Sequence, residues 1–181
     1  MKIAYIVPGT GGAFYCENCI RDCSLISSLE RLGHEVVAIP IYLPLNLDED
    51  ITFYNDSIFF GAIKIYLKSH FPFIRLLPDH LLQFLDSSLL TKLAVSMASS
   101  TRARGHEQLT ITMLKGSRGI LASEFERLSS WLINKIQPDA VFLSNALLLG
   151  IGSSFKETKN LPVFCLLQDE HTWVESSRTS Y

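Results

Sequence analysis

Lys2-Ile3-Ala4-Tyr5-Ile6-Val7-Pro8-Gly9-Thr10-Gly11-Gly12-Ala13-Phe14-Tyr15-Cys16-Glu17-Asn18-Cys19 opens the chain. Its apolar run of β-branched and aromatic residues predicts a buried strand. The glycines that follow allow a sharp turn, with no Cβ in the way, before a helix begins. A glycine turn between a strand and a helix can seat an anion, because the first N–H groups of the helix are unpaired and carry the positive end of its dipole. Gly9, Gly11 and Gly12 are therefore candidate phosphate-proximal residues. The same pattern also serves as a tight corner with no ligand.

Working outward, Ile20, Cys23, Leu25, Ile26, Leu29 and Leu32 recur near helical period, and Gly33 is placed to stop that helix. Val36-Val37-Ala38-Ile39-Pro40-Ile41-Tyr42 is almost wholly apolar, as a parallel strand covered on both faces should be. The three elements make a βαβ unit. A dinucleotide fold would place Gly-x-Gly-x-x-Gly in the first turn and an acidic residue at the end of the second strand. Phe14 takes the third glycine's place and the second strand ends without Asp or Glu, which argues against a nicotinamide or flavin dehydrogenase.

Residues 43–57 read as a loop with a solvated acidic cluster, and 58–67 as a third strand or a strand running into a helix. Leu81, Leu82, Leu85, Leu89, Leu93 and Met97 then repeat as one amphipathic helix, within a mainly helical insertion around 68–118. The segment 69–77 mixes bulky apolar with basic residues. It reads as a satellite cluster under the next helix, with an alternative as a surface for an apolar acceptor or peripheral membrane contact. Residues 99–110 are polar and read as a loop. The segment 119–137 reads as a helix with Leu121, Phe125, Leu128, Leu132, Ile133 and Ile136 on one face and Glu124, Glu126, Arg127 and Lys135 on the other. Ala140–Leu143 predicts a fourth strand tipped by Ser144-Asn145, 146–159 a helix, and 161–167 a fifth strand followed by a polar run from Gln168 to Trp173.

This alternation predicts an α/β fold: one domain over residues 1–181, with a Rossmann-like parallel sheet in the order 3-2-1-4-5 flanked by helices. Ligands of such sheets bind beyond the carboxyl ends of the strands, where the strand order reverses. The glycine turn, Ser144, Asn145 and the run Gln168-Asp169-Glu170-His171 should then share one cleft. Ser144, Asn145 and Gln168 are the candidate acceptor-cleft residues. Asp169, Glu170 and His171 are the candidate acid/base group, since a carboxylate can orient an imidazole or raise its pKa and either can take a proton from a hydroxyl. Three polar residues after a strand are also an ordinary loop.

Composition narrows the classes. With 181 residues, 48% of them hydrophobic, and a formal net charge of -2, the chain can bury a core and carries no global field for nucleic acid. Lys64, Lys68, His70 and Arg75 form only a local basic cluster. With no targeting segment and no apolar stretch long enough to span a bilayer, the expected location is cytoplasmic, with membrane association left to the 69–77 segment. Cys16, Cys19 and Cys23 fall on one side of the first helix. They are weak candidates for a metal or redox site completed by Cys165, against the plainer reading of buried thiols.

Met1-Lys2-Ile3-Ala4-Tyr5-Ile6-Val7-Pro8 with Gly11-Gly12, Leu29-Glu30-Arg31-Leu32-Gly33-His34-Glu35-Val36 and Pro138-Asp139-Ala140-Val141-Phe142 together resemble the N-terminal domain of glycosyltransferase family 4, retaining enzymes of GT-B architecture. Residues 12–19 and 60–67 look similar to one bacterial branch of these enzymes. The resemblance implies the acceptor-side half of a two-domain enzyme. Its co-substrate would be a nucleotide-diphosphate sugar, its acceptor a glycan or a lipid-linked glycan, and it would need no other cofactor. The donor-binding domain that the family places after this one has no counterpart in residues 1–181, so the chain alone is expected to be inactive. By the same resemblance Gly11 and Gly12 approach the donor. A histidine following the last strand contacts the transferred sugar; here His171 comes only after Gln168-Asp169-Glu170. Ser144-Asn145 stands where a histidine is common. Two other readings remain open from the residues: a stand-alone binding module for a phosphorylated ligand or a partner, and a cysteine-based metal or redox protein.

Overall fold

The computed structural model describes residues 1–8, 17–41, 107–119 and 121–176. The opening apolar run becomes strand β1, Lys2–Val7, and its burial from Ile3 onward on both faces makes it a central strand. On one side it pairs in parallel with β2, Glu35–Pro40, and on the other with β3, Ala140–Leu143. A short β4, Val163–Cys165, extends the sheet beyond β3, also in parallel, so the spatial order is β2-β1-β3-β4. The sheet therefore grows one way from β1 to β2 and the other way from β3 to β4. The five-strand order expected from sequence differs from this four-strand sheet. β3 and β4 correspond to the predicted fourth and fifth strands, and the predicted third, 58–67, lies outside the described residues.

Alternation along the strands divides the interior in two. Ile3, Tyr5 and Val7 of β1 join Val36 and Ala38 of β2 against helix α1, Glu17–Arg31, which supplies Cys19, Cys23 and Ile26. Ile20 and Leu32, part of the predicted stripe, are exposed, because Ile20 flanks the buried row and Leu32 falls after the last full turn. Gly33 closes the helix as expected. Its φ of 86° suits a residue without Cβ, while its N–H donates to the Glu30 carbonyl and that of His34 to Leu29, a paired closure of the last turn.

Ala4, Ile6, Val37, Ile39, Val141 and Leu143 face the other way, toward α2 (Glu107–Lys115), α3 (Ala122–Trp131) and α4 (Leu149–Lys159). Helix α2 takes in the last residues of a segment expected to be a loop; the rest of the insertion lies outside the described residues. Helix α3 buries Phe125 and Leu128, with Leu121 buried just before its first turn, and a wider turn, Leu132–Ile136, carries the stripe on. Glu124 sits on the buried side instead of the polar face, with its carboxylate 2.9 Å from the Arg127 guanidinium. Gln137 ends this element in the left-handed region, and the Asp139 carboxylate accepts the Lys2 N–H at 2.6 Å, aligning the starts of β1 and β3.

Helix α4 is entered through a tight turn, Ala146–Leu148. Gly150, a poor helix residue by propensity, is explained by packing: a Cβ there would run into the Met113 carbonyl and lie 2.7 Å from the Gly116 nitrogen. After β4 the polar run is not a loop throughout, since Glu170–Ser176 forms a short helix, α5, tied to α2 by a Trp173 Nε1–H to Thr110 Oγ1 bond of 3.1 Å. Among the described residues no helix is long and apolar enough to cross a membrane.

Candidate functional site

The four strands of the described sheet run in parallel, so their carboxyl ends lie along one edge of it, and the order reverses between β1 and β3. Such a reversal leaves a crevice, because the connections leave toward opposite faces. Side chains from four segments meet there. Tyr5 comes from β1, Arg21 and Asp22 from the second turn of α1, Ser144 from the end of β3, and Gln168 and Glu170 from the chain after β4.

Asp22 is the centre, only 2% exposed. One carboxylate oxygen accepts the Tyr5 hydroxyl at 3.1 Å and Arg21 through Nε (3.2 Å) and Nη2 (2.6 Å). The other accepts the Ser144 hydroxyl at 2.7 Å. A buried carboxylate is tolerated when its charge is matched and its lone pairs are filled, and Asp22 meets both conditions. The Ser144 carbonyl in turn accepts Arg21 Nη2 at 2.7 Å and Gln168 Nε2 at 2.8 Å. Arg21 thereby spans α1 and β3, while its side chain stays 36% exposed.

Glu170 ties the two later strand ends together. Its carboxylate oxygens accept the Ala146 N–H at 2.7 Å and the Gln168 N–H at 2.8 Å. Asn145 accepts the Leu147 N–H at 3.1 Å, so two side chains cap the turn that leads into α4.

The electrostatics follow from these contacts. Burial, then the charge and hydrogen bond of Asp22, push the Tyr5 phenol far above its ordinary range, against a smaller pull from Arg21. Burial works against the Arg21 charge, but the Asp22 hydrogen bond and charge more than offset it. Burial would also raise the Glu170 carboxyl. The backbone N–H of Ala146, its own N–H and that of Gln168, with the Arg21 charge, outweigh that and hold it below the usual carboxylate value. The Cys165 thiol is pushed up by burial and by the Glu170 charge.

Ser144, Gln168 and Glu170 thus meet in one network, with Asn145 beside them as a cap. Asp169 and His171 are exposed and take no part in it; the Asp169 carbonyl accepts the Thr172 N–H at 2.9 Å, and His171 Nε2 lies 3.4 Å from Thr172 Oγ1. Gly9, Gly11, Gly12 and Cys16 lie outside the described residues. Cys19 and Cys23 are buried between α1 and the sheet, whereas Cys165 packs on the opposite face. The sheet stands between them, so Cys165 does not complete a thiolate set with that pair. Among the described residues no cluster of three or more His, Cys, Asp or Glu is placed to hold a metal ion.

Sequence reasoning missed Tyr5, Arg21 and Asp22. A signal existed: Asp22 falls within the row Cys19, Cys23, Ile26 that α1 turns toward the sheet, and an acid in a buried row requires partners. No protein-family model, curated protein or solved structure matches this chain.

Proposed function

We propose that this chain is the acceptor-side, Rossmann-like domain of a retaining glycosyltransferase of GT-B type, moving a sugar from a nucleotide-diphosphate sugar to a glycan or lipid-linked acceptor. One observation carries the reading: the reversal of strand order between β1 and β3, with polar side chains from α1, β3 and the chain after β4 gathered at that point. A sugar acceptor needs fixed hydrogen-bond donors and acceptors, and the side chains of this network are held in place by one another. The sequence resemblance supports the same reading.

In it, Gly9, Gly11 and Gly12, which lie outside the described residues, are the donor-phosphate residues that the sequence resemblance implies. Ser144, Asn145 and Gln168 shape the acceptor side. Glu170, kept ionised by its backbone donors, is an acceptor for a substrate hydroxyl, and Asp169 and His171, exposed and outside the network, are the proposed groups for proton transfer. Most stabilisation of the departing diphosphate falls to a second domain.

The test is transfer itself. Protein expressed with everything that follows the Tyr181 codon in frame is expected to release nucleoside diphosphate from a nucleotide sugar when acceptor is present, with the anomeric configuration retained. Residues 1–181 alone are expected to bind the donor weakly. Tight donor binding by these residues without transfer would instead identify a stand-alone module for a phosphorylated ligand.

A further inference from the structure

The Arg21 guanidinium and the Gln168 amide are anchored on the same atom, the Ser144 carbonyl oxygen, at 2.7 and 2.8 Å. They therefore lie side by side, within about two hydrogen-bond lengths of each other. Because a carbonyl only accepts, the Gln168 NH2 must be the inward group, which leaves Oε1 as the outward one. Arg21 spends Nε and Nη2 on Asp22 and Ser144, and its Nη1 donors have no partner among the described residues. Among the described residues, the atoms of this pair left without a partner are thus N–H donors beside a carbonyl acceptor, at the carboxyl ends of β1 and β3.

An exposed arginine in a cleft suggests an anion site, but the surrounding charges argue otherwise. The Arg21 charge is already answered by buried Asp22, and Glu170 is close enough to act on it as a second negative charge. Among the described residues one cation faces two carboxylates, a formally negative neighbourhood that would repel an incoming phosphate. A hydroxyl both donates and accepts, so two neighbouring hydroxyls match a donor beside an acceptor without adding charge.

We propose that Arg21 and Gln168 form a hydroxyl-reading pair that takes the uncharged face of a sugar ring, through two adjacent hydroxyls. The identification of the ligand as a carbohydrate rests on the transferase reading above; the preference for a neutral hydroxyl-rich group over an anion rests on the geometry and charges alone. Asp22 is the positioning residue behind the pair, since it fixes the guanidinium plane.

The experiment is a titration of the 15N-labelled chain, following the Gln168 side-chain amide and the Arg21 Nε–H resonances, with methyl glucoside and methyl mannoside as neutral probes and inorganic phosphate as the anionic one. At least one glycoside is expected to shift both resonances with a millimolar dissociation constant, while phosphate leaves them unmoved. Gln168→Leu should weaken glycoside binding about fivefold and Arg21→Lys about tenfold, one neutral and one charged hydrogen bond respectively. The Gln168 variant keeps the test informative should Arg21→Lys loosen the fold. Phosphate shifting the pair at lower concentration than the glycosides, no response to either glycoside, or unchanged affinity in Gln168→Leu would overturn the proposal. Glycoside binding here without nucleoside-diphosphate release by the longer protein would refute the transferase and leave the pair standing. Transfer with an acceptor KM unaltered by Gln168→Leu would refute the pair and leave the transferase.

Discussion

The two faces of the sheet are built from different materials. Toward α2, α3 and α4 the interior is a continuous apolar cluster, from Ala4 and Ile6 through Phe125 and Leu128 to Ile151 and Phe155. Toward α1 the cluster is smaller, and at its carboxyl end it gives way to Tyr5, Arg21, Asp22 and Ser144 joined by hydrogen bonds. Apolar contacts are interchangeable and tolerate repacking, whereas a buried carboxylate constrains every group around it. The first face therefore holds the fold, and the second fixes a constellation.

The difference can be broken or sharpened by substitution. The largest effect should come from the apolar face: Phe125→Ala empties a fully buried site and should cost about 3–5 kcal/mol in chemical denaturation, with the polar network intact in its NMR spectrum. Next comes Asp22→Ala. It strands the Tyr5 and Ser144 hydroxyls in the interior, and with the exposed part of Arg21 discounted for screening the loss should be about 3 kcal/mol. If Asp22→Ala were as mild as a surface change, the contrast between the faces would fail. Gly150→Ala, which forces α4 away from Met113 and Gly116, should cost about 2 kcal/mol as a lowered melting temperature and leave glycoside binding unchanged.

Smaller effects probe the polar end. Glu170→Gln weakens the links to Ala146 and Gln168 and should cost about 1 kcal/mol at neutral pH. The sign with pH is fixed by the lowered carboxyl. Its contribution is complete above the ordinary value of 4.5 and is lost as pH falls through the lower folded value, so parent and variant should converge in acid unfolding curves. Last, His171→Ala should change stability by less than about 0.5 kcal/mol, because the ring is exposed, so any loss of transfer in that variant would report on chemistry alone.

The same contrast explains what could be read in the sequence. β1, β2, β3 and the buried row of α3 follow from hydrophobic period, which survives because apolar packing depends on size and spacing. Ser144 and Gln168, which join the network, stand at strand ends, and those are predictable places in a parallel sheet. Tyr5 was absorbed into an apolar strand and Asp22 into a helix, since their roles depend on each other across 17 positions of sequence. Gly150 is a poor helix residue whose reason lies in another element, the Met113 carbonyl of α2. Pairwise, long-range requirements leave no periodic trace.

The alignment of the strand starts has a practical reach. Met1 and Lys2 lie at the amino end of β1, beside Glu35 and Asp139, while the polar network gathers toward the other end of this six-residue strand, which is about 20 Å long. A fluorophore, a biotin or a sensor surface coupled at position 1 would sit at the end of the sheet opposite the polar network. Immobilised protein should therefore report binding constants that match those in free solution.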